Sequence, residues 1–308
     1  MTTQLNPNLD FSMTLPPQIN LLVNGGFEQW QRGSGPFSNP AIAAYTADKW
    51  QANYGGGPTF SITKETSIVQ SEATSLKLDI TVVGSGTSAA IFQDLENARS
   101  YRGKIVTVSV AMKCNVPNAA IIYLTDGFSS WISSYHTGDN TWQILTVSAL
   151  VGAVATAFRV TLGLPTSCFV STTYIDSAMM TVSPGLINFI PLHPANELVR
   201  CQRYYENGFL ATFIPIYRNA TPGNEVITWV PFNTKKAAVP TNTVTIVSAV
   251  RAHSPTTGAG NGGADGANWS NQTANPTVSG FSLDSSRSTD QTTYPILSIQ
   301  FNWTAEVT

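Results

Sequence analysis

Residues 76–82 read Leu76-Lys77-Leu78-Asp79-Ile80-Thr81-Val82, with apolar and polar side chains in strict alternation. A period of two sets Leu76, Leu78, Ile80 and Val82 on one face of an extended chain, and Lys77, Asp79 and Thr81 on the other. Similar runs recur further on. Val106, Val108, Val110 and Met112 alternate with Thr107, Ser109 and Ala111; Phe158, Val160 and Leu162 enclose Arg159 and Thr161; Leu297, Ile299, Phe301 and Trp303 enclose Ser298, Gln300 and Asn302. Each run turns one face to a core and the other to solvent or a partner. Turn signals such as Asp126-Gly127, Gly138-Asp139-Asn140 and Thr221-Pro222-Gly223-Asn224 separate the strands. Many short strands punctuated in this way predict an all-β protein of antiparallel sandwiches.

One segment departs from this period. Between Pro194 and Tyr205, the residues Leu198, Cys201, Gln202 and Tyr205 recur at i, i+3, i+4 and i+7, which predicts a short connecting helix. It follows Pro184-Gly185 and Pro191 and so opens a second domain. A chain of 308 residues is long enough for two domains. The expected division is an extended attachment arm at 1–19 containing Pro16-Pro17, a first domain at 20–186, a connector at 187–203, and a carboxy-terminal β-sandwich at 204–308. Residues 254–279, rich in Gly, Asn, Ser and Thr, read as a long loop in which Trp269 is the one large apolar side chain.

Composition narrows the function. Charged residues make up 11%, against about 25% in an average soluble protein. The 16 Lys and Arg against 18 Asp and Glu leave a net charge of −2. Without clustered Lys and Arg, this balance argues against recognition of nucleic acid through its phosphates. The single Arg203 beside Tyr204 and Tyr205 reads as a structural joint. No apolar run approaches the ~18–20 residues of a membrane helix, so no membrane insertion is expected. The opening MTTQLNPNLD lacks the basic start and apolar core of a signal peptide, so a soluble protein made in the cytoplasm is expected. Cys114, Cys168 and Cys201 are odd in number and widely spaced, as expected of three buried small side chains without a disulfide framework. The sequons at Asn219, Asn268, Asn271 and Asn302 read as polar turns.

The stretch Asn20-Leu21-Leu22-Val23-Asn24-Gly25-Gly26-Phe27-Glu28-Gln29-Trp30-Gln31-Arg32-Gly33, followed by Tyr45-Thr46-Ala47-Asp48-Lys49-Trp50, resembles the opening of a family of bacteriophage and prophage tail-fibre or virion appendage proteins. The resemblance continues at Tyr101-Arg102-Gly103-Lys104, Thr141-Trp142-Gln143, Glu197 to Tyr205, Phe232 to Thr243, and Trp303 to Val307. It implies a jelly roll similar to carbohydrate-binding modules, then a second β-domain, assembled as a homotrimer on a virion put together in the host cytoplasm. With about 19 residues before the first motif, it implies a short appendage, a tip or a head-attached fibre. The implied partners are other virion proteins, held through the arm, and a host-surface glycan. A decoration or adaptor protein with an assembly role alone is the alternative, and a secreted carbohydrate-binding module a third class.

No residue pattern points to catalysis. His136, His193 and His253 sit in turn-like contexts without a Ser nucleophile motif, and the acids Asp126, Asp139 and Asp176 lie outside any glycosidase signature. The expectation is a non-enzyme. Glu28 and Asp176 resemble positions that supply oxygens to a structural calcium in such modules; the other reading makes them a turn acid and a strand-end hydrogen-bond acceptor. Sugars present C–H faces that pack on flat rings, so the glycan-binding candidates are Trp131 and Tyr135, near Asp126, Asp139 and Asn140, together with Trp269. For each of these rings a packing role is the competing reading. Trp30, Trp50 and Trp142 are expected in the core.

Overall fold

The structure is a computed structural model. It describes residues 19–71, 73–85, 88–164, 169–185, 188–215, 224–252, 269–287 and 296–307. The attachment arm expected at 1–19 therefore lies outside the described residues except for Ile19, as does Cys168.

The first eleven strands are β1 (Phe37–Ser38), β2 (Gln51–Gly55), β3 (Thr59–Glu65), β4 (Ser75–Val82), β5 (Ser88–Asp94), β6 (Ile105–Cys114), β7 (Ile121–Thr125), β8 (Ser130–Ile132), β9 (Trp142–Leu150), β10 (Arg159–Leu164) and β11 (Ser171–Thr181). They form a six-stranded sheet in the order β1-β3-β4-β11-β6-β9 and a five-stranded sheet in the order β2-β5-β10-β7-β8. All pairings are antiparallel. The sheets close face to face as an all-β sandwich. Ile62, Leu76, Leu78, Val108, Val110 and Ile175 from one sheet meet Ala52, Ile91, Ile122, Leu124, Val160 and Leu162 from the other. Trp50 is wholly buried, and its indole N–H donates to the Asn24 carbonyl at 3.0 Å.

The alternation in β4 holds through Ile80, and Val82 at the strand end is exposed. Strand β6 differs, because Thr107, Ser109 and Ala111 are buried as well as its valines. The chain past β11 lies against this face. Thr107 Oγ1 donates to the Ser183 carbonyl at 2.5 Å, and the Ile190 amide to Met179 Sδ at 3.3 Å.

Residues 20–25 run beside β11 and close the sandwich. The Leu21 amide donates to Met180 O at 2.8 Å, Asn20 Nδ2 to Ala178 O at 2.8 Å, and the Ala178 amide to Gly25 O at 2.9 Å. A register shift in β11 between Asp176 and Met179 makes room for this docking.

Helix α1 (Pro194–Gln202) is the expected short helix, three residues shorter than its periodicity suggested. Pro194 opens it, and His193 Nδ1 accepts the Ala195 amide at 3.3 Å. Tyr205 leaves the helix because it enters β12 and pairs with Glu306.

The remaining strands are β12 (Tyr205–Pro215), β13 (Asn224–Pro231), β14 (Thr241–Ala252), β15 (Trp269–Pro276), β16 (Gly280–Arg287) and β17 (Ile296–Glu306), in sheets ordered β12-β17-β14 and β13-β16-β15. Between these sheets, the rings of Phe232, Phe281 and Trp303 pack with centroids 5.5 to 6.0 Å apart.

The long-loop reading of 254–279 is corrected here. Residues 269–276 are a strand, paired with β16, and 253–268 lie outside the described residues. A polar segment such as Ser270-Asn271-Gln272-Thr273 needs no apolar alternation to pair, since the ladder bonds are backbone to backbone.

Arg32 ties the two sandwiches together. Its guanidinium reaches Asp48 Oδ1 at 3.3 Å and Glu306 Oε1 at 3.0 Å, and lies 3.7 Å from the Tyr205 ring centroid and 4.7 Å from that of Tyr45. Nearby, Glu96 accepts Tyr204 Oη at 2.7 Å and Arg203 Nη2 at 3.2 Å. Lys236, also buried, donates to Glu206 Oε2 and to the Gln202 carbonyl, each at 2.5 Å.

Candidate functional site

The outer face of the five-stranded sheet carries the most organised surface of the first sandwich. Strand register lines up Gln51, Phe92, Thr161, Tyr123 and Ile132 in one row across five strands. A second row runs Asp94, Arg159, Thr125 and Ser130, and a third Asn53, Ala90, Gly163 and Ile121. Apart from Ile121, which is buried in the core cluster, these positions alternate with the core residues Ile91, Leu162 and Ile122, so they face away from the core.

The middle of this face is low. Ala90, Phe92 and Thr161 are buried although they point outward, while Gln51, Asn53 and Tyr123 are half-buried and Ile132 is exposed. Small side chains at the centre and longer ones at the flanks give the face a low middle, or trough, whose floor residues are themselves covered. The Arg159 guanidinium roofs Phe92, 3.9 Å from the ring centroid, and is fixed by two bonds to Asp94 of 2.6 and 2.7 Å. This fork geometry holds a flat cation over an apolar floor, with its remaining N–H groups at the trough edge.

The β7–β8 hairpin forms one end of the face. Asp126 shapes its turn, accepting the amides of Phe128 at 2.9 Å, Ser129 at 2.7 Å and Gly152 at 3.0 Å. Burial pushes the Asp126 carboxyl up, but these amides more than offset it and hold it below the usual carboxylate range. Phe128 at the turn is 67% exposed.

The expected site residues are dispersed. Trp131 pairs with Leu124, packs against the core cluster and is half-buried, so it lies on the inner side of the hairpin. Its neighbour Ile132 is the one on the open face. Tyr135 is exposed, three residues past the end of β8, outside the rows. Trp269 begins β15 in the other sandwich.

Glu28 and Asp176 act together on one segment. Glu28 Oε1 accepts the Thr74 amide at 3.1 Å, while Asp176 Oδ2 accepts those of Gln70 at 2.8 Å and Ser71 at 3.3 Å. Asp176 Oδ1 takes the Ser177 amide at 2.6 Å. Both acids thus pin Gln70, Ser71 and Thr74 from two sides. Burial raises the Asp176 carboxyl, against these hydrogen bonds. Calcium asks for six to eight oxygen ligands; the groups turned toward these carboxylates are backbone N–H donors and the Ser177 hydroxyl. Among the described residues, no three His, Cys, Asp or Glu side chains gather as a metal-holding group.

His136 is buried, with Nδ1 accepting the Gly138 amide at 2.8 Å and Nε2 3.1 Å from the Thr141 carbonyl. Both ring nitrogens hold the chain around the turn. Cys114 and Cys201 are buried free thiols, and burial pushes the Cys201 thiol well up, out of reach of a reactive thiolate.

Sequence reasoning missed Tyr123, Asp94 and Gln51. It set Arg159 and Thr161 on the outward face of their strand, and that was the available signal; the rows exist only once five strands are in register.

No protein-family profile matches the sequence, and no curated protein does. Solved structures of similar fold include tailspike protein 4 of bacteriophage CBA120, in its enzymatically active domain, at 16% identity and a TM-score of 0.40 over 54% of this chain and 22% of that one. A putative sugar binding protein from Bacteroides thetaiotaomicron matches at 11% identity and a TM-score of 0.40, over 54% of this chain and all of that one. The carbohydrate-binding module TmCBM61, solved with β-1,4-galactotriose, matches at 13% identity and a TM-score of 0.36, over 54% of this chain and 99% of its own.

Proposed function

We propose that the chain is a non-catalytic fibre or tip component of a bacteriophage virion that adheres to host-surface glycans through the outer face of the five-stranded sheet. The virion role rests on the motif resemblance from Asn20 to Val307. The glycan role is carried by one observation: the row Gln51–Phe92–Thr161–Tyr123–Ile132, in which an aromatic ring and amide and hydroxyl groups line a trough roofed in part by a fixed Arg159. A sugar ring can lay its C–H face on Tyr123 while its hydroxyls meet Gln51, Asn53 and the free edge of Arg159.

The described acids Asp126 and Asp139, at turns, and Asp176, in β11, already accept amide or hydroxyl protons, which suits a binding role better than proton transfer. Assembly alone is the second reading, favoured by the β6–β9 face. Strand β9 is a sheet edge of nine residues without a charge, and Ile105, Ile144 and Leu150 are exposed on that face. Such a face suits packing between like subunits in a homotrimer.

A glycan array probed with the full chain and with Tyr123→Ala decides between them. Binding that Tyr123→Ala abolishes without lowering the melting temperature supports adhesion. Binding to no glycan leaves assembly, and equal binding by both proteins sinks this face as the adhesive one.

A further inference from the structure

A second ring stands open on the carboxy-terminal sandwich. In β13, Val230 points inward and is buried, and Trp229 points outward and is 50% exposed. Register places Trp229, Ser282 and Asn275 in one row across β13, β16 and β15. The indole leans back over Gly280. A Cβ at that position would fall 2.7 Å from Trp229 Cζ2 and 2.9 Å from Cε2, closer than any side chain tolerates. One side of the ring therefore rests on bare backbone, and only glycine at 280 permits it. The ring is held by that seat before any ligand arrives, so little freedom is lost on binding.

The row is neutral. A hydroxyl and an amide flank the indole, with Pro231 and Pro276 at the strand ends. An anionic ligand would find no cation in this row, and an apolar partner would have to bury its polar members. A pyranose matches both parts, with its C–H face on the indole and its hydroxyls on Ser282 and Asn275. We propose that Trp229 is the stacking platform of a second saccharide site, specific for a neutral sugar ring and separate from the trough on the first sandwich. It stands whether or not that trough binds. Two sites on one chain would raise avidity for a surface of repeated glycans.

The test titrates the full chain with lactose, maltose, cellobiose and diacetylchitobiose, following the indole N–H resonances, with Trp229 identified by Trp229→Phe. The expected result is that at least one sugar shifts the Trp229 signal. Trp229→Ala and Gly280→Ala should each weaken that sugar by about 10-fold or more, and Tyr123→Ala should leave it unchanged. Ser282→Ala, which leaves the ring in place, should weaken it several-fold and keeps the test sound if Trp229→Ala fails to fold. No shift with any of the four sugars overturns the proposal, as does an affinity for that sugar, measured by calorimetry, that is unchanged in Ser282→Ala and Trp229→Ala alike. So does light scattering showing that Trp229→Ala dissociates an oligomer, since the ring would then be covered by a second copy. Loss of binding in Tyr123→Ala alone would leave the trough as the site and reject this one.

Discussion

Acids are few in this chain, and those that are buried or at turns serve as hydrogen-bond acceptors for the backbone. Asp126, Asp176 and Glu28 each hold a loop by its amides. Asp139 does so in full solvent. Its Oδ1 takes Thr141 Oγ1 at 2.7 Å and the Thr141 amide at 3.0 Å, and these bonds hold the carboxyl down at about 2 from an ordinary 3.8. Because the folded-state pKa is depressed, the stabilisation is present above the unfolded value and is lost as pH falls from about 4 toward 2. A carboxyl NMR titration should show the Asp139 midpoint near 2, and Thr141→Val should return it toward the ordinary value. An unshifted midpoint in the native protein would refute the role given to Thr141.

Among the elements, the segment from Asn20 to Gly25 is held as firmly as a strand without being one. Gly25 lies where a Cβ would stand 2.1 Å from the Ala178 carbonyl and 2.7 Å from Asn20 Nδ2. The close approach lets the Ala178 amide reach Gly25 O, and backbone crowds it on one side, so little can yield. Gly25→Ala should therefore destabilise the protein by about 2 kcal/mol, read as a lower urea midpoint with unchanged slope. A stability within a few tenths of the parent would show that the segment can shift aside. On the other side, the chain past β11 lies against Thr107 and Met179, on an outer sheet face that alternation alone marks as open.

At the scale of the whole molecule, the joint between the sandwiches combines an apolar cluster of Val23, Cys201, Tyr204 and Ala237 with a polar network around Arg32. Arg32, from the opening motif, sits between Tyr45 of the first sandwich and Tyr205 of the second and joins Asp48 to Glu306. Burial raises the Asp48 carboxyl, while Gln31 and Arg32 pull it down. Removing Arg32 leaves that carboxylate, 1% exposed, without its cation. Arg32→Ala should cost roughly 3 kcal/mol, and calorimetry should show one transition in the parent separating into two in the variant. A single transition at an unchanged temperature in the variant would mean that the joint contributes nothing to coupling.

The sequence by itself determined the all-β class, the helix near Pro194, and the outward setting of Arg159 and Thr161, because alternation and helical spacing are local and survive without knowledge of neighbours. It also marked Trp50 as core and Arg203-Tyr204-Tyr205 as a joint. Only the tertiary structure decided which strands adjoin. That choice put Trp131 on the core side and Ile132 on the open side, assembled Tyr123 with Gln51 and Asp94, made a strand of 269–276, and seated Trp229 on Gly280. Each depends on pairing between residues far apart in the chain, and the register of such pairs is set by the closing of two sheets over one core, which no local pattern encodes.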